Sequence, residues 1–424
     1  MPSTIDPEAH ARLVAARAAT RTRHPTAHRP KPAPKPKAAS TSKVRANRGG
    51  KQREKAATST AYLLLLAVVT VLCVIGLVMV LSSSSVEALR RYGSAWLFFK
   101  RQLLWLGVGS AVLVVAARTD YRTWRRFTVP AMAGAFALLT LVLVPGIGIA
   151  VSGSSRWLGV GSWRIQPSEL AKLAVLLFIA DLLARRADRV DDARATLRPC
   201  LLAVGAVAFL VMLQPDMGTT LVLGCIAMAL LFVAGTPVRH MATIGAVCVA
   251  GAFVLGMAEP YRRARMMSFL DPWADAGNTG YQVAQPMVGL ADGGITGVGV
   301  GASRAKWGFL PNAHTDFIFT VIGEEMGLIG SLLVLALFVA FAVLGVRAAV
   351  RAPDRFGMLL AAGVSAWIGG PAFIYMGAVI GILPVTGVPL PFVSFGGSSL
   401  VIVMGAVGLL LNIARQSRPA RPTD

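Results

Sequence analysis

The sequence predicts an all-α polytopic membrane protein, and three observations carry that expectation. Of 424 residues, 55% are hydrophobic and 15% charged, with a mean hydropathy of +0.63, whereas a soluble domain is nearer half apolar and a quarter charged. Apolar runs of about 20 residues, the length of helix that crosses a bilayer core, recur along the chain. The basic residues gather at one terminus and in alternate gaps between those runs. Together these exclude a soluble enzyme, a lone signal anchor and a disordered scaffold. The 43 glycines and 24 prolines do not argue against helices, because neighbouring helices in a membrane bundle re-satisfy the backbone that they disturb.

Residues 1–59 precede the first apolar run and carry fourteen Lys or Arg against three acids, Asp6, Glu8 and Glu54, a net +11 of the chain's +22. With a KPAPKPK run and no apolar periodicity, they are expected to form a disordered basic cytoplasmic tail attracted to anionic head groups. The tail has neither a folded motif nor interleaved aromatics, so nucleic acid is not an expected partner. Ten apolar segments follow, at 61–82, 102–118, 127–148, 167–184, 199–214, 217–235, 241–258, 316–345, 356–380 and 398–414. No cleavable signal sequence precedes the first, which is expected to start insertion itself. The expected organisation is the tail 1–59, a ten-helix membrane domain 60–414 with a large outer loop 259–315, and a short cytoplasmic tail 415–424.

An even number of spans puts both termini on one side, and charge chooses the side. The two tails and the gaps after the second, fourth, sixth and eighth segments hold 30 Lys or Arg, and the opposite side holds 12. The positive-inside rule then places both termini in the cytoplasm. Cys73, Cys200, Cys225 and Cys248 lie in or at the ends of apolar segments without CxxC spacing. They read as small hydrophobes, not as disulfides or metal ligands.

Unusual residues collect on the outer side. In GSSRWLGVGSWRIQPSELAK, Pro167 suits the first helical turn, and Glu169 and Lys172 share a helix face one turn inside the membrane. An internal ion pair joining two spans and a functional charge site are both open readings of that pair. In LQPDMGTT, Pro215 sets a turn and Asp216 caps the helix that follows. Arg262, Arg263 and Arg265 suit a lipid phosphate or pyrophosphate through bidentate hydrogen bonds, and suit plain head-group anchoring equally.

The stretch PNAHTDFIFTVIGEEMG is the most informative. Asp316 sits where a polar loop becomes a thirty-residue apolar helix, and a carboxylate with a hydrophobic wall behind it becomes a usable general base. Its other reading is a helix cap, a role for which His314 and Thr315 are also available. Glu324 and Glu325 lie about 12 to 13.5 Å deeper along a helix and are expected to bond neighbouring spans. Gly323 and Gly327 are expected to allow close helix packing. Three prolines, Pro384, Pro389 and Pro391, forbid a continuous helix before Ser398 and Ser399, so 384–397 must line a cavity or lie on the surface. GVGVGAS at 297–303 has no βαβ context and is discarded as a phosphate loop.

Taken together, GSSRWLGVGSWRIQPSELAK, QPDMGTT, EPYRRARMMSFLDPW, GYQ, LPNAHTDFIFTVIGEE and LPVTGVPLPFVSFGGSS closely resemble the SEDS family (shape, elongation, division and sporulation proteins), from about residue 60 to 414. The AEPYR and NAHTDFIFTVIGEE wording resembles the FtsW-type division branch more than the RodA-type elongation branch. The resemblance implies a ten-span SEDS fold and a peptidoglycan glycosyltransferase that polymerises lipid II at the outer face of the cytoplasmic membrane, at the division septum. It implies an undecaprenyl-pyrophosphate-linked glycan as donor, a class B penicillin-binding transpeptidase as partner, and contacts with divisome membrane proteins. It puts the family's essential aspartate on Asp316, its Arg-Trp pair on Arg156 and Trp157, and its QPSExxK acid and base on Glu169 and Lys172. With Arg262, Arg263, Arg265, His314 and Ser398, these are the candidate site residues. The chain departs from the family pattern at Pro371 and Tyr375, where span nine commonly carries Gln and Asn, and at Asn312, which stands where a Glu is usual.

The implied reaction has a sugar 4-hydroxyl attack an anomeric carbon while pyrophosphate leaves, so one proton must be taken up, with Asp316 as the candidate, and a dianion stabilised, with Arg156, Lys172, Arg262, Arg263 and Arg265 as the candidates to hold phosphate charge. A divalent cation could share the second task, although no paired His/Asp spacing marks a metal site. Three competing readings are a lipid II flippase, an elongation or sporulation paralogue, and a non-catalytic scaffold. A transporter needs access from both faces, and the sequence shows no inverted repeat of broken helices. Polar motifs crowded at one face argue against a pure anchor.

Overall fold

The computed structural model describes residues 40–417, except 152–153, 161–162, 191, 259–262, 264–267, 276, 279, 311 and 386. The chain divides into two compact units, Met1–Lys51 and Gln52–Asp424, and the elements that position the site belong to the second. The principal helices are α1 (Ser40–Tyr92), α2 (Leu97–Arg118), α3 (Thr128–Leu143), α4 (Pro167–Arg185), α5 (Arg198–Met212), α6 (Met217–Ala234), α7 (Val238–Ala258), α8 (Tyr281–Gly293), α9 (Ile318–Val350), α10 (Arg355–Val379) and α11 (Gly397–Gln416).

All of these except α8 fall on the ten expected segments. Among the described residues, eight helices are long and apolar enough to cross a membrane. The two that fall short of that measure are α4, which carries Glu169, Lys172, Asp181 and Arg185, and α7, whose described apolar stretch is Val238–Gly251. The chain is a multi-pass membrane protein. Small residues let its helices approach closely: α2 pairs extensively with α11, and a Cβ added at Gly408 would lie 2.5 Å from the Leu113 carbonyl oxygen.

Four features differ from the sequence reading. Helix α1 begins at Ser40, inside the segment expected to be disordered, where Ala, Lys, Arg, Gln and Glu residues favour helix. Residues 1–39 of the expected tail lie outside the described residues. The Gly/Ser segment before α4 is a small antiparallel sheet of β1 (Ile149–Val151), β2 (Ser154–Val160) and β3 (Trp163–Ile165), in that order. The long 259–315 loop contains the thirteen-residue helix α8, packed on α9.

The fourth difference is that α9 is not continuous. Gly327 has φ 66° and ψ −162°, which breaks the helix. The backbone of 294–299, which enters the GVGVGAS segment, explains how a break is sustained inside a bundle. Val298 N and Gly299 N donate to the Glu324 and Glu325 carbonyls (3.0 and 3.1 Å), and Leu328 N and Ile329 N donate to the Gly294 and Ile295 carbonyls (2.9 and 3.2 Å). The backbone groups released by the break are therefore paired. A Cβ at Gly297 would lie 2.1 Å from the Glu325 carbonyl oxygen, and one at Gly327 2.4 Å from Gly297 N, so only glycine fits at either place. Close packing also occurs at Gly323, as expected: a Cβ at Gly293 of α8 would lie 2.0 Å from the Gly323 carbonyl oxygen.

Of the two glutamates beside the break, Glu325 bonds a neighbouring span, as expected, whereas Glu324 bonds the 303–305 loop and not a span, because the preceding backbone is drawn against the break. Ser303 Oγ and Arg304 N donate to the Glu324 carboxylate (2.5 and 2.6 Å), and Ser82 Oγ donates to Glu325 Oε1 (2.5 Å). The Arg-rich gaps at the other end of the bundle are tied by ion pairs, Arg125 and Arg185 with Asp181 (2.7 and 2.9 Å) and Arg122 with Asp354 (2.8 Å). All four cysteines are free thiols.

Candidate active site

The starts of α4, α6, α9 and α11 and the end of α10 lie together at the end of the bundle away from the Arg-rich gaps. Pro167 opens α4 at a position where its missing N–H costs nothing. One turn on, Lys172 Nζ and Glu169 Oε1 are 2.8 Å apart, with the two side chains 7% and 5% exposed. Lys172 Nζ also lies 5.6 Å from the centre of the Trp367 ring of α10, an attraction between cation and ring face. The second Glu169 oxygen is buried with no hydrogen-bond partner among the described residues.

This pair forms one wall of a cleft that opens to solvent. Trp367 and Pro371 line it from α10, Ser399 from α11, and Val388–Phe392, Ser394 and Gly396 from the proline-broken segment. That segment lines a cavity, the first of the two fates expected for it.

Asp316 is half-buried in a turn ahead of α9. It lines a second pocket, of about 210 Å³, with Phe317, Tyr375, Ala378, Val379, Val385 and Gly387. The turn is built by Asn312, whose carbonyl accepts from Thr315 N and Asp316 N (both 3.0 Å). Asn312 has φ 57°, a conformation that Asn tolerates better than Glu. Ser394 Oγ donates to the Thr315 carbonyl (2.6 Å) and Phe395 N to the His314 carbonyl (2.9 Å). Asp316 and the Glu169–Lys172 pair thus occupy neighbouring cavities, not one, and Ser394 belongs to the wall of the cleft while holding the turn of the other.

The remaining candidates sort by their contacts. Arg156 Nε and Nη2 donate to the carbonyls of Gln214 and Pro215 (2.9 and 2.6 Å), which ties the sheet to the turn before α6, and Trp157 beside it is half-buried. Asp216 caps α6 as expected, accepting from Thr219 N at 3.1 Å, and also takes Gln166 Nε2 at 3.2 Å. Ser398 accepts from Gln166 N at 3.3 Å; its neighbour Ser399 is the one that lines the cleft. His314 is buried against Phe98 and Phe395, at ring separations of 4.7 and 5.8 Å, with Nδ1 3.5 Å from Glu87 Oε2. Burial pushes its pKa down, Glu87 pulls it up and Arg91 pushes it down, and the balance lies below the ordinary value. Arg263 is exposed, while Arg262 and Arg265 lie outside the described residues. No group of three or more His, Cys, Asp or Glu that could hold a metal occurs among the described residues.

Sequence reasoning missed Trp367 and Ser394, and named Ser399 only as the residue after the broken segment while choosing its neighbour Ser398 as the candidate. Pro371 and Tyr375 stood out only as departures from a pattern, and they line the cleft and the Asp316 pocket respectively.

Fold and site define a polytopic helical membrane protein with ionisable groups held in adjoining cavities at one end of its bundle. The family model FTSW_RODA_SPOVE, described as "Cell cycle protein", matches residues 62–419, and the chain belongs to this family, the SEDS proteins. It is 41% identical over 343 residues to the "Probable peptidoglycan glycosyltransferase FtsW" of Geobacter metallireducens, covering 81% of this chain and 92% of that one. To the protein of the same description from Mycobacterium tuberculosis it is 43% identical over 354 residues, 84% of this chain and 68% of the relative. To the "Stage V sporulation protein E" of Bacillus subtilis it is 40% identical over 351 residues, 83% and 96% of the two chains. Among solved structures, a chain described under "Structural coordination of polymerization and crosslinking by a peptidoglycan synthase complex" superposes with a TM-score of 0.69 at 28% identity, covering 83% of this chain and 97% of that one. The crystal structure of Thermus thermophilus RodA gives 0.61 at 26%, covering 84% and 97%.

Proposed function

We propose that this chain is a peptidoglycan glycosyltransferase that joins lipid II units into glycan at the outer face of the cytoplasmic membrane. The observation that carries the reading is the adjacency of two cavities, one holding Asp316 and the other a buried Glu169–Lys172 pair, at the end of the bundle away from the Arg-rich gaps. The descriptions of the relatives support the same activity. Asp316 takes the proton from the attacking sugar hydroxyl, since it is a half-buried carboxylate at the edge of an apolar pocket. Lys172, oriented by Glu169, supplies positive charge for the departing pyrophosphate in a site shielded from water. The cleft beside Lys172 is lined by both polar and apolar groups, and the exposed apolar helix faces receive the polyprenyl tails.

The charge asymmetry supports ten spans with both termini in the cytoplasm. Arg262, Arg263 and Arg265 are head-group phosphate contacts, and Arg156 beside Trp157 ties the sheet to the turn before α6. A class B penicillin-binding transpeptidase is the partner, and the septum the site of action; the FtsW-described relatives support that branch. The test is glycan synthesis from purified lipid II by the full chain, with and without the transpeptidase. No glycan under either condition overturns the reading.

A further inference from the structure

We propose that the Tyr375 hydroxyl is a positioning group for Asp316; the inference rests on the reading of Asp316 as the base. The first amides of a helix have no intrahelical acceptor and are ordinarily met by the side chain at the N-cap. At the start of α9 the N-cap residue is Phe317, which has no acceptor to offer. The acceptor comes instead from another helix: Phe319 N donates to Tyr375 Oη of α10 at 3.3 Å, and the Ile318 amide faces the same oxygen. Tyr375 is 3% exposed, so the bond is made away from water.

Asp316 is consequently held from both sides. Before it, the Thr315 carbonyl is fixed by Ser394 Oγ at 2.6 Å. After it, the Phe319 amide is fixed by Tyr375. These two tethers reach in from different elements, the broken segment and α10, and they clamp the backbone that carries the carboxylate. Tyr375 and Asp316 also line the same pocket and are electrostatic neighbours. A base must sit within hydrogen-bond reach of the proton it takes, and a displacement of about 1 Å lowers the rate roughly 10²-fold. Phenylalanine in place of Tyr375 would fill the same space and leave the buried Phe319 amide without its acceptor and Ser394 without its side-chain bond to the hydroxyl, relaxing the clamp with little change in shape.

The test compares Tyr375→Phe, Tyr375→Gln, Asp316→Asn and the double variant Asp316→Asn with Tyr375→Phe, as full chains with the transpeptidase, in lipid II polymerisation. For Tyr375→Phe, kcat is expected to fall about 10- to 100-fold with KM for lipid II little changed. Tyr375→Gln, which returns an acceptor oxygen, is expected to recover part of that loss. In the Asp316→Asn background the Phe change is expected to cost nothing further, since a group acting through Asp316 has nothing left to position. Wild-type kcat in Tyr375→Phe, or the same fold-loss with and without Asp316, overturns the inference while leaving the base reading intact. If Tyr375→Phe also folds poorly, the rank of Gln against Phe decides: Gln above Phe supports the oxygen's role, and Gln below Phe assigns Tyr375 to packing alone. Near wild-type activity of Asp316→Asn sinks the base reading itself, and the inference with it.

Discussion

Glu169 and Lys172 meet at 2.8 Å on one face of α4, both nearly removed from solvent, with Trp367 beside the ammonium. Two charges so placed are costly to separate: removing one partner of a buried pair destabilises by about 3–5 kcal/mol, because the other is left uncompensated. Neutralising both relieves most of that penalty.

Stability and activity are therefore expected to part company at this pair. Lys172→Met keeps the apolar length of the side chain and should lower both the thermal midpoint and glycan synthesis. Adding Glu169→Gln should restore much of the midpoint and leave synthesis lost, as read by thermal unfolding and polymerisation of the same preparations. Recovery of synthesis along with the midpoint would reduce the pair to a structural brace.

At Asp316, replacement by Asn keeps the size of the side chain and removes its capacity to take a proton. Polymerisation should fall by roughly 10²- to 10⁴-fold, the scale of a lost positioned base, with the fold and transpeptidase binding kept. Asp316→Glu should retain little activity, because the carboxylate moves by about 1 Å. Synthesis by Asp316→Asn at near the native rate would remove this residue from the mechanism.

The buried imidazole of His314 predicts an acid-sensitive stability. Its pKa in the folded chain lies below the ordinary 6.5, so the unfolded chain binds the proton more readily, and stability contributed by neutral His314 is full above 6.5 and lost as pH falls below it. Glu87 and Arg91 of α1 are the charged groups facing it, and Phe98 and Phe395 close the other sides. The thermal midpoint of the native chain should drop between pH 7 and 5, and His314→Gln should flatten that dependence. An unchanged slope in His314→Gln would place the acid sensitivity elsewhere.

Orientation is tested by thiol labelling. In a variant with all four cysteines replaced, a cysteine at Val300, which is exposed in the 259–315 loop, should react with an impermeant reagent on intact cells. A cysteine in the first 39 residues should react only after the membrane is opened. The reverse pattern would invert the topology and remove the outer-leaflet chemistry.

Much of this architecture was legible because it follows from local rules. Apolar length located the helices, charge counts paired the gaps, Pro167 and Asp216 marked helix starts, and a spacing of three put Glu169 and Lys172 on one face. The family pattern pointed to Asp316, and carboxylates as deep as Glu324 and Glu325 had to find partners.

What the tertiary structure alone decided depends on groups far apart in the chain. The break at Gly327 exists because the 294–299 backbone arrives to pair the groups it frees, and no rule of helix propensity reports that arrival. The phosphate reading of Arg156 contends with carbonyls of a turn some sixty residues on, which its guanidinium already holds. The division into two cavities follows from where the proline-broken segment crosses the bundle, and it gives Ser394 and Tyr375 their places beside Asp316. Sequence determines which residues want burial, a cap or a charge partner; folding chooses which distant residue supplies it, because the acceptor nearest in space is seldom the one nearest in the chain.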